Sequence, residues 1–269
     1  MAVQRELYKK IESDTKKSWE LNWSNVSHKA ITEIFHYPRV KKLTVDYLRY
    51  LPKNGIALEA GCGLGQWVGY FRSNGYNMVG VDYNESTICR AKSYDSSLSL
   101  AAADVRALPF QGESIDTYIS FGVIEHFIEG PEKALREAYR VLKKGGTALI
   151  TVPHKNIFTI IRSPVDWLKR SSFLRKIFSK EKKIYYYQKY FAPQRLMAKF
   201  RDAGYEVLLY KPVDHTFSLV EFSGLFRDKD TFDGENDLAV RLSSVVEKFF
   251  PYVCAGSNLF VLKKPLLSK

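Results

Sequence analysis

Strand-like and helix-like segments alternate through the middle of this sequence, which predicts an α/β protein built on a parallel sheet with helices on both faces. Three observations carry that prediction. Short apolar runs recur at 56–60, 77–81, 97–102, 114–121 and 147–152. Segments with helical spacing of apolar residues separate most of them. The first three runs end at Gly61, at Asp82 and just before Asp104, on the side of such a sheet where ligands bind.

Each element has its own signal. Ile56 to Ala60 is a short apolar run stopped by Gly61, and reads as a buried strand. Gln66 to Ser73 follows as a helix closed by Asn74-Gly75. Asn77 to Val81 is the second strand, Glu85 to Tyr94 the next helix, and Ser97 to Ala102 the third strand. Ser114 to Phe121 is the fourth, with Ile115, Tyr118, Ile119 and Phe121 as its apolar residues; Asp116 within it reads as structural. Pro131 opens a helix, its stripe made by Ala134, Leu135, Ala138, Val141 and Leu142, and Gly145-Gly146 is expected to stop it. Thr147 to Val152 is the fifth strand. The rhythm then breaks over 153–192, which is basic and aromatic. It resumes with a helix from Pro193 to Ala203, the stop Gly204 and a strand from Tyr205 to Tyr210. A second irregular stretch runs from Val213 to Ala255, before a last strand at Asn258 to Leu262. The expected organisation is an N-terminal helical arm, 1–54, and one Rossmann-like domain, 55–269, with insertions at 153–192 and 213–255.

The 269 residues, 45% hydrophobic and 26% charged, exclude disorder, collagen and coiled coil as overall classes. No apolar run approaches the roughly 18 residues that span a bilayer, and the N-terminus lacks the apolar stretch of a signal peptide. Cys62, Cys89 and Cys254 are too few and too scattered for a disulfide framework or a metal cluster, so a cytoplasmic setting and no metal are expected. The net charge of +12 is unevenly spread. Residues 153–192 hold 10 basic and 2 acidic residues, while 55–152 hold 9 and 11. The excess belongs to the arm and the first insertion rather than to the sheet, which weakens a general nucleic-acid reading.

Leu58-Glu59-Ala60-Gly61-Cys62-Gly63-Leu64-Gly65-Gln66-Trp67 is the most informative stretch. A strand runs into three alternating glycines and then into a helix, and the missing Cβ atoms let a ligand lie against the backbone. The dinucleotide fingerprint G-x-G-x-x-G fails, because its third glycine would fall at Gln66; the Walker A pattern fails for want of G-K-[ST]. Glu59 before the loop would repel a phosphate but suits a cation. A carboxylate at Asp82 can accept both hydroxyls of a ribose, and one at Asp104 an adenine amino group. Together with Glu59, Gly61, Gly63 and Gly65 they suit a positively charged adenosyl ligand without phosphates.

With these residues the sequence resembles the class I S-adenosylmethionine-dependent methyltransferases, in their type 11/type 23 small-molecule branch. The matching stretches are LEAGCGLGQW, VGVDYN, AADVRALPF, IDTYISFGVIEHF, REAYRVLKKGGTALITVP and YFAPQRLMAKFRDAGYEV, over about 55–152 and 190–211. The resemblance implies a seven-stranded sheet of order 3-2-1-4-5-7-6 with the last strand antiparallel, and S-adenosyl-L-methionine as cofactor with S-adenosyl-L-homocysteine as product. It places Glu59 near the methionine amine, with Gly61, Gly63 and Gly65 under the cofactor. Asp82 goes to the ribose and Tyr83 beside the adenine. Asp104 goes to the adenine amino group, with Val105 in backbone contact, and Ser120 and Phe121 meet the methionine portion through the backbone. His126 falls in the "EH" motif at the wall between cofactor and substrate. His154 departs from the asparagine that family members often carry after the proline. Ser120-Phe121-Gly122 stands where base-amine methyltransferases have Asn-Pro-Pro-Tyr, which argues against nucleobase amino groups as acceptors.

The implied reaction is in-line methyl transfer to an O, N or C nucleophile of a small molecule. His126 is the first candidate for a general base and His154 the second; each has a structural alternative. Glu125 has the reading of a turn cap. Trp167, Phe173, Leu174, Ile177 and Phe178 would share one face of a helix, with Lys169, Lys176 and Lys180 opposite. That segment reads as a lid over the substrate. The alternative is a contact of 164–183 with an anionic membrane, and with it a lipid, quinone or envelope precursor as substrate. An RNA-binding or non-catalytic protein that keeps the fold is the third reading.

Overall fold

The computed structural model describes residues 2–161, 187–228, 231 and 234–266. The proposed lid helix and its 164–183 membrane contact fall outside the described residues. Three helices form the arm: α1 (Ala2–Ser24), α2 (His28–Glu33) and α3 (Pro38–Leu48). The Ser27 side chain caps α2 by accepting from the Ala30 amide, and Pro38 opens α3 where a missing N–H costs nothing.

The sheet follows: β1 (Ala57–Ala60), α4 (Gln66–Ser73), β2 (Met78–Asp82), α5 (Glu85–Tyr94), β3 (Leu100–Ala102), β4 (Ile115–Phe121), α6 (Glu132–Val141) and β5 (Leu142–Pro153). Then come α7 (Pro193–Asp202), β6 (Glu206–Val213), α8 (His215–Phe222), α9 (Asp237–Phe249) and β7 (Ser257–Lys263). The strand order is 3-2-1-4-5-7-6, and β7 runs antiparallel to both β5 and β6. Alternation along the strands feeds two cores. Leu58, Ala60 and Tyr118 face one, with α6 and α7; Ala57 and Ile119 face the other, with α4, α5 and the arm. Burial on both faces explains why the strands read as continuous apolar runs.

Two expectations are corrected. Gly145 and Gly146 do not stop a helix. Helix α6 ends at Val141 and β5 starts at once, with a register break: Ile115 pairs with Leu142, but Thr117 pairs with Thr147. The glycines form the outward bulge. A Cβ on Gly146 would lie 2.8 Å from the Lys143 carbonyl and 3.0 Å from that of Asp116. The second correction concerns 213–255, which is not irregular. It holds α8 and α9, joined by a Thr216–Ser243 hydroxyl contact of 2.8 Å. Helix α8, HTFSLVEF, buries five residues around its circumference and so lacks an amphipathic period. This insertion is fastened to the arm: the Arg39 backbone and guanidinium donate to Glu235, and the guanidinium also reaches Asp214 at 3.5 Å. Among the described residues no helix is long and apolar enough to cross a membrane.

Candidate active site

Two cavities meet at the carboxyl ends of β1 and β4. The first, about 380 Å³, is walled by Gly61, Asp82, Tyr83, Asp104, Val105, Arg106, Phe121 and His126 from the domain. Lys9, Glu12, Lys16, Trp19 and Trp23 close it from α1. The second, about 1090 Å³, shares Trp19, Trp23, Gly61, Phe121, Gly122 and His126 with the first. It extends past Glu59, Trp67, Glu125, His154, Phe158, Tyr190, Phe217 and Phe222.

The glycine turn is held by its own backbone. The amides of Gly61 and Cys62 both donate to the Val81 carbonyl, at 2.7 and 2.9 Å. The Gly63 amide donates to Asp82 Oδ2 at 3.0 Å, and the Asn84 amide to Oδ1 at 2.9 Å. Asp82 thus ties the end of β2 to the turn after β1 while walling the first cavity. Burial pushes its carboxyl up; the two amides and Lys16 work against that. Gly61 has φ +86, and a Cβ there would strike Val123 at 2.4 Å. Gly63 lies under the Trp23 ring, and Gly65 packs towards Leu100. Of the three glycines, only Gly61 is exposed to the cavities.

Glu59 is 2% exposed, and its Oε2 has no hydrogen-bond partner. Burial, then the charge of Asp82, pushes its carboxyl well above the usual range. Asp104 has the opposite balance. Burial would raise it, but the Arg106 guanidinium and amide grip both oxygens at 2.8–3.1 Å and hold it low. Arg106 also reaches Glu12 of α1 at 2.6 Å and lies over the Phe127 ring. The expected adenine acceptor is therefore the centre of an arm-to-domain ion network. Tyr83 lines the first cavity beneath the Lys16 ammonium, 5.2 Å from its ring centroid.

Val105 and Phe121 line the first cavity and Phe121 the second as well; Ser120, expected to act through its backbone, is wholly buried in β4 and lines neither. His126 stands between the cavities, edge-on to Trp19 at 5.4 Å, with Nδ1 2.8 Å from the Tyr187 carbonyl. Burial lowers its pKa, against hydrogen bonds to Tyr187 and Gly122. His154 lines the second cavity, but both ring nitrogens are engaged, Nδ1 with Asn258 at 2.9 Å and Nε2 with the Tyr252 carbonyl at 2.6 Å. It fastens the end of β5 to the loop before β7.

From sequence, Trp19 and Trp23 suggest an arm that folds over the cleft, but Lys9, Glu12 and Lys16 of the same wall were missed. Lys9, Glu12, Lys16, Trp19 and Trp23 are spaced by three and four residues, one face of a helix, so the signal was present. It was hidden because the face mixes charge with aromatics. Glu125 was also missed as a wall residue. It is 1% exposed, its Oε2 has no partner, and burial pushes its carboxyl up to about 8.

Residues 58–150 match the family described as "Methyltransferase domain". The tRNA (carboxymethyluridine(34)-5-O)-methyltransferase alkbh8 of Xenopus tropicalis is 34% identical over 111 residues, 40% of this chain and 17% of that protein. The tRNA (carboxymethyluridine(34)-5-O)-methyltransferase of Saccharomyces cerevisiae is 30% identical over 130 residues, 46% of each chain. A probable S-adenosylmethionine-dependent methyltransferase of Mycobacterium tuberculosis, Rv3030, is 29% identical over 117 residues, 43% of this chain and 42% of that one. The matched region thus spans less than half the length of each of these relatives. Among solved structures, the Haloferax volcanii complex of the Trm112 methyltransferase activator with a putative methyltransferase aligns with TM-score 0.60 at 19% identity, over 92% of this chain and 97% of that one. A SAM-dependent methyltransferase from Archaeoglobus fulgidus aligns with TM-score 0.58 at 18% identity, over 86% and 97%.

Proposed function

The chain carries the domain of the class I S-adenosylmethionine-dependent methyltransferases, and on that premise we propose that it methylates a small molecule with aromatic or apolar surface in the second cavity. The cofactor of this class is S-adenosyl-L-methionine, and the residues present fit it. Glu59 keeps an unpaired buried oxygen at the glycine turn, where an ammonium would satisfy it. Asp82 faces the first cavity with acceptor capacity beyond its two amide contacts, suited to ribose hydroxyls. Tyr83, Val105 and Phe121 supply flat or apolar wall. When bound, the sulfonium supplies an electrophilic methyl group. The protein's part is to align the acceptor and exclude water, and Trp19 and Trp23 of α1 cover the junction where that is needed.

The observation that carries this reading is the union of the two cavities at Gly61, Phe121, Gly122 and His126. It joins a cofactor-sized space to a larger aromatic one at the carboxyl ends of the strands. Among the described residues, the acidic and basic side chains that line the second cavity, histidines aside, are Glu59, Glu125, Glu221 and Lys155. A second reading, a modified tRNA nucleoside as acceptor, draws on the tRNA methyltransferases to which the chain is similar and on the 10 basic residues of 153–192.

Incubation with methyl-tritiated cofactor tests the choice, using small-molecule and bulk tRNA fractions of the source cell in parallel. Label in the small-molecule fraction supports the proposal. Label confined to tRNA replaces it with the second reading.

A further inference from the structure

Three buried oxygens on residues lining the second cavity lack a hydrogen-bond donor: Glu59 Oε2, Gln66 Oε1 and Glu125 Oε2. An unpaired buried acceptor is costly, so a site that keeps several is built for donors that arrive with ligands. The cofactor accounts for two. Glu59 and Gln66 flank the glycine turn in sequence, and the ammonium of the methionine portion offers several N–H donors. Glu125 is left over. It sits in the single helical turn Ile124–His126 after β4, and its main chain is fixed by the Lys189 amide donating to the Glu125 carbonyl at 3.0 Å.

Neither histidine competes for the role. His126 is committed to the main chain at Tyr187 and Gly122, and its Nε2 lies 3.8 Å from Glu125 Oε1. His154 has both nitrogens engaged. We infer that Glu125 is the catalytic residue that takes the acceptor's proton, and that the acceptor atom is accordingly a protic one, an amine nitrogen or a hydroxyl oxygen rather than carbon. The inference rests on the methyltransferase reading above. In the step, the acceptor's lone pair forms the bond to the methyl carbon. The carbon–sulfur bond breaks with its electron pair left on sulfur. The acceptor's proton passes to the Glu125 carboxylate, the form that fills as pH rises through about 8, and the residue ends as the carboxylic acid. His126 then acts as a positioning residue, holding the wall beside Glu125.

Calorimetry on the full chain loaded with S-adenosylhomocysteine tests this with three probes of one shape: 2-phenylethylamine, 2-phenylethanol and propylbenzene. The amine and the alcohol bind the wild type. Glu125→Gln weakens the amine by about tenfold or more, and leaves propylbenzene and S-adenosylhomocysteine within about twofold. The preserved S-adenosylhomocysteine affinity shows that the variant is folded. Equal weakening of all three probes overturns the inference. So does an unchanged amine affinity, or a loaded wild type that binds neither the amine nor the alcohol at about 1 mM. A wild type that fails to bind S-adenosylhomocysteine sinks instead the reading beneath it.

Discussion

Trp23 of the arm occupies the space above Gly63: a Cβ on that glycine would lie 2.5 Å from Trp23 Cζ2. The arm is thereby in contact with the glycine turn itself. Gly63 also has φ +53, where a side chain adds roughly 1 kcal/mol of strain before any clash. Gly63→Ala should lower stability by about 1–3 kcal/mol and displace Trp23, weakening S-adenosylhomocysteine binding. Thermal melting and calorimetry read both effects. Adding Trp23→Ala should recover part of the binding loss; a double variant no better than the single one would show that the arm does not press on the turn.

The ion pair of Arg39 with Glu235 fastens the arm to the second insertion. The Glu235 side chain is fully buried and that of Arg39 nearly so. Glu235→Ala removes the carboxylate that accepts from the Arg39 amide and Nε and leaves the guanidinium with Asp214 at 3.5 Å, so it should cost about 2–3 kcal/mol in urea unfolding, less than breaking an isolated buried pair. A loss below about 1 kcal/mol, as for an exposed pair, would contradict the assignment.

Glu125 also predicts a pH dependence of stability. Its carboxyl titrates near 8 in the folded chain against the usual 4.5. Between those values the native state binds more protons than the unfolded one. The contribution is therefore whole below about 4.5 and is lost as pH rises through about 8, a change on the order of a few kcal/mol. Melting temperature should fall from pH 5 to pH 8 more steeply in the wild type than in Glu125→Gln. Parallel curves would place the Glu125 titration elsewhere.

The sheet was legible because parallel strands buried on both faces must be apolar throughout and must be separated by amphipathic helices. The turn Gly61–Gly65 and the acids Glu59, Asp82 and Asp104 were legible because each lies at a strand end. Other features follow from packing between distant parts of the chain. That Arg106 would grip Asp104 while reaching Glu12, or that Gly146 would be needed between two carbonyls, depends on backbone proximity that no local pattern encodes. Helix α8 is buried on most sides and has no period to read. Glu125 looked like a turn cap because sequence carries no record of desolvation.

Calorimetric titration of S-adenosylhomocysteine into the wild type and Asp82→Ala tests the central claim most directly. The account predicts one equivalent bound by the wild type. It predicts a loss of roughly thirtyfold, about 2 kcal/mol, in the variant, as acceptors for the ribose hydroxyls disappear. Unchanged affinity in Asp82→Ala would mean that the cofactor does not occupy the cavity beneath α1, and would contradict the account.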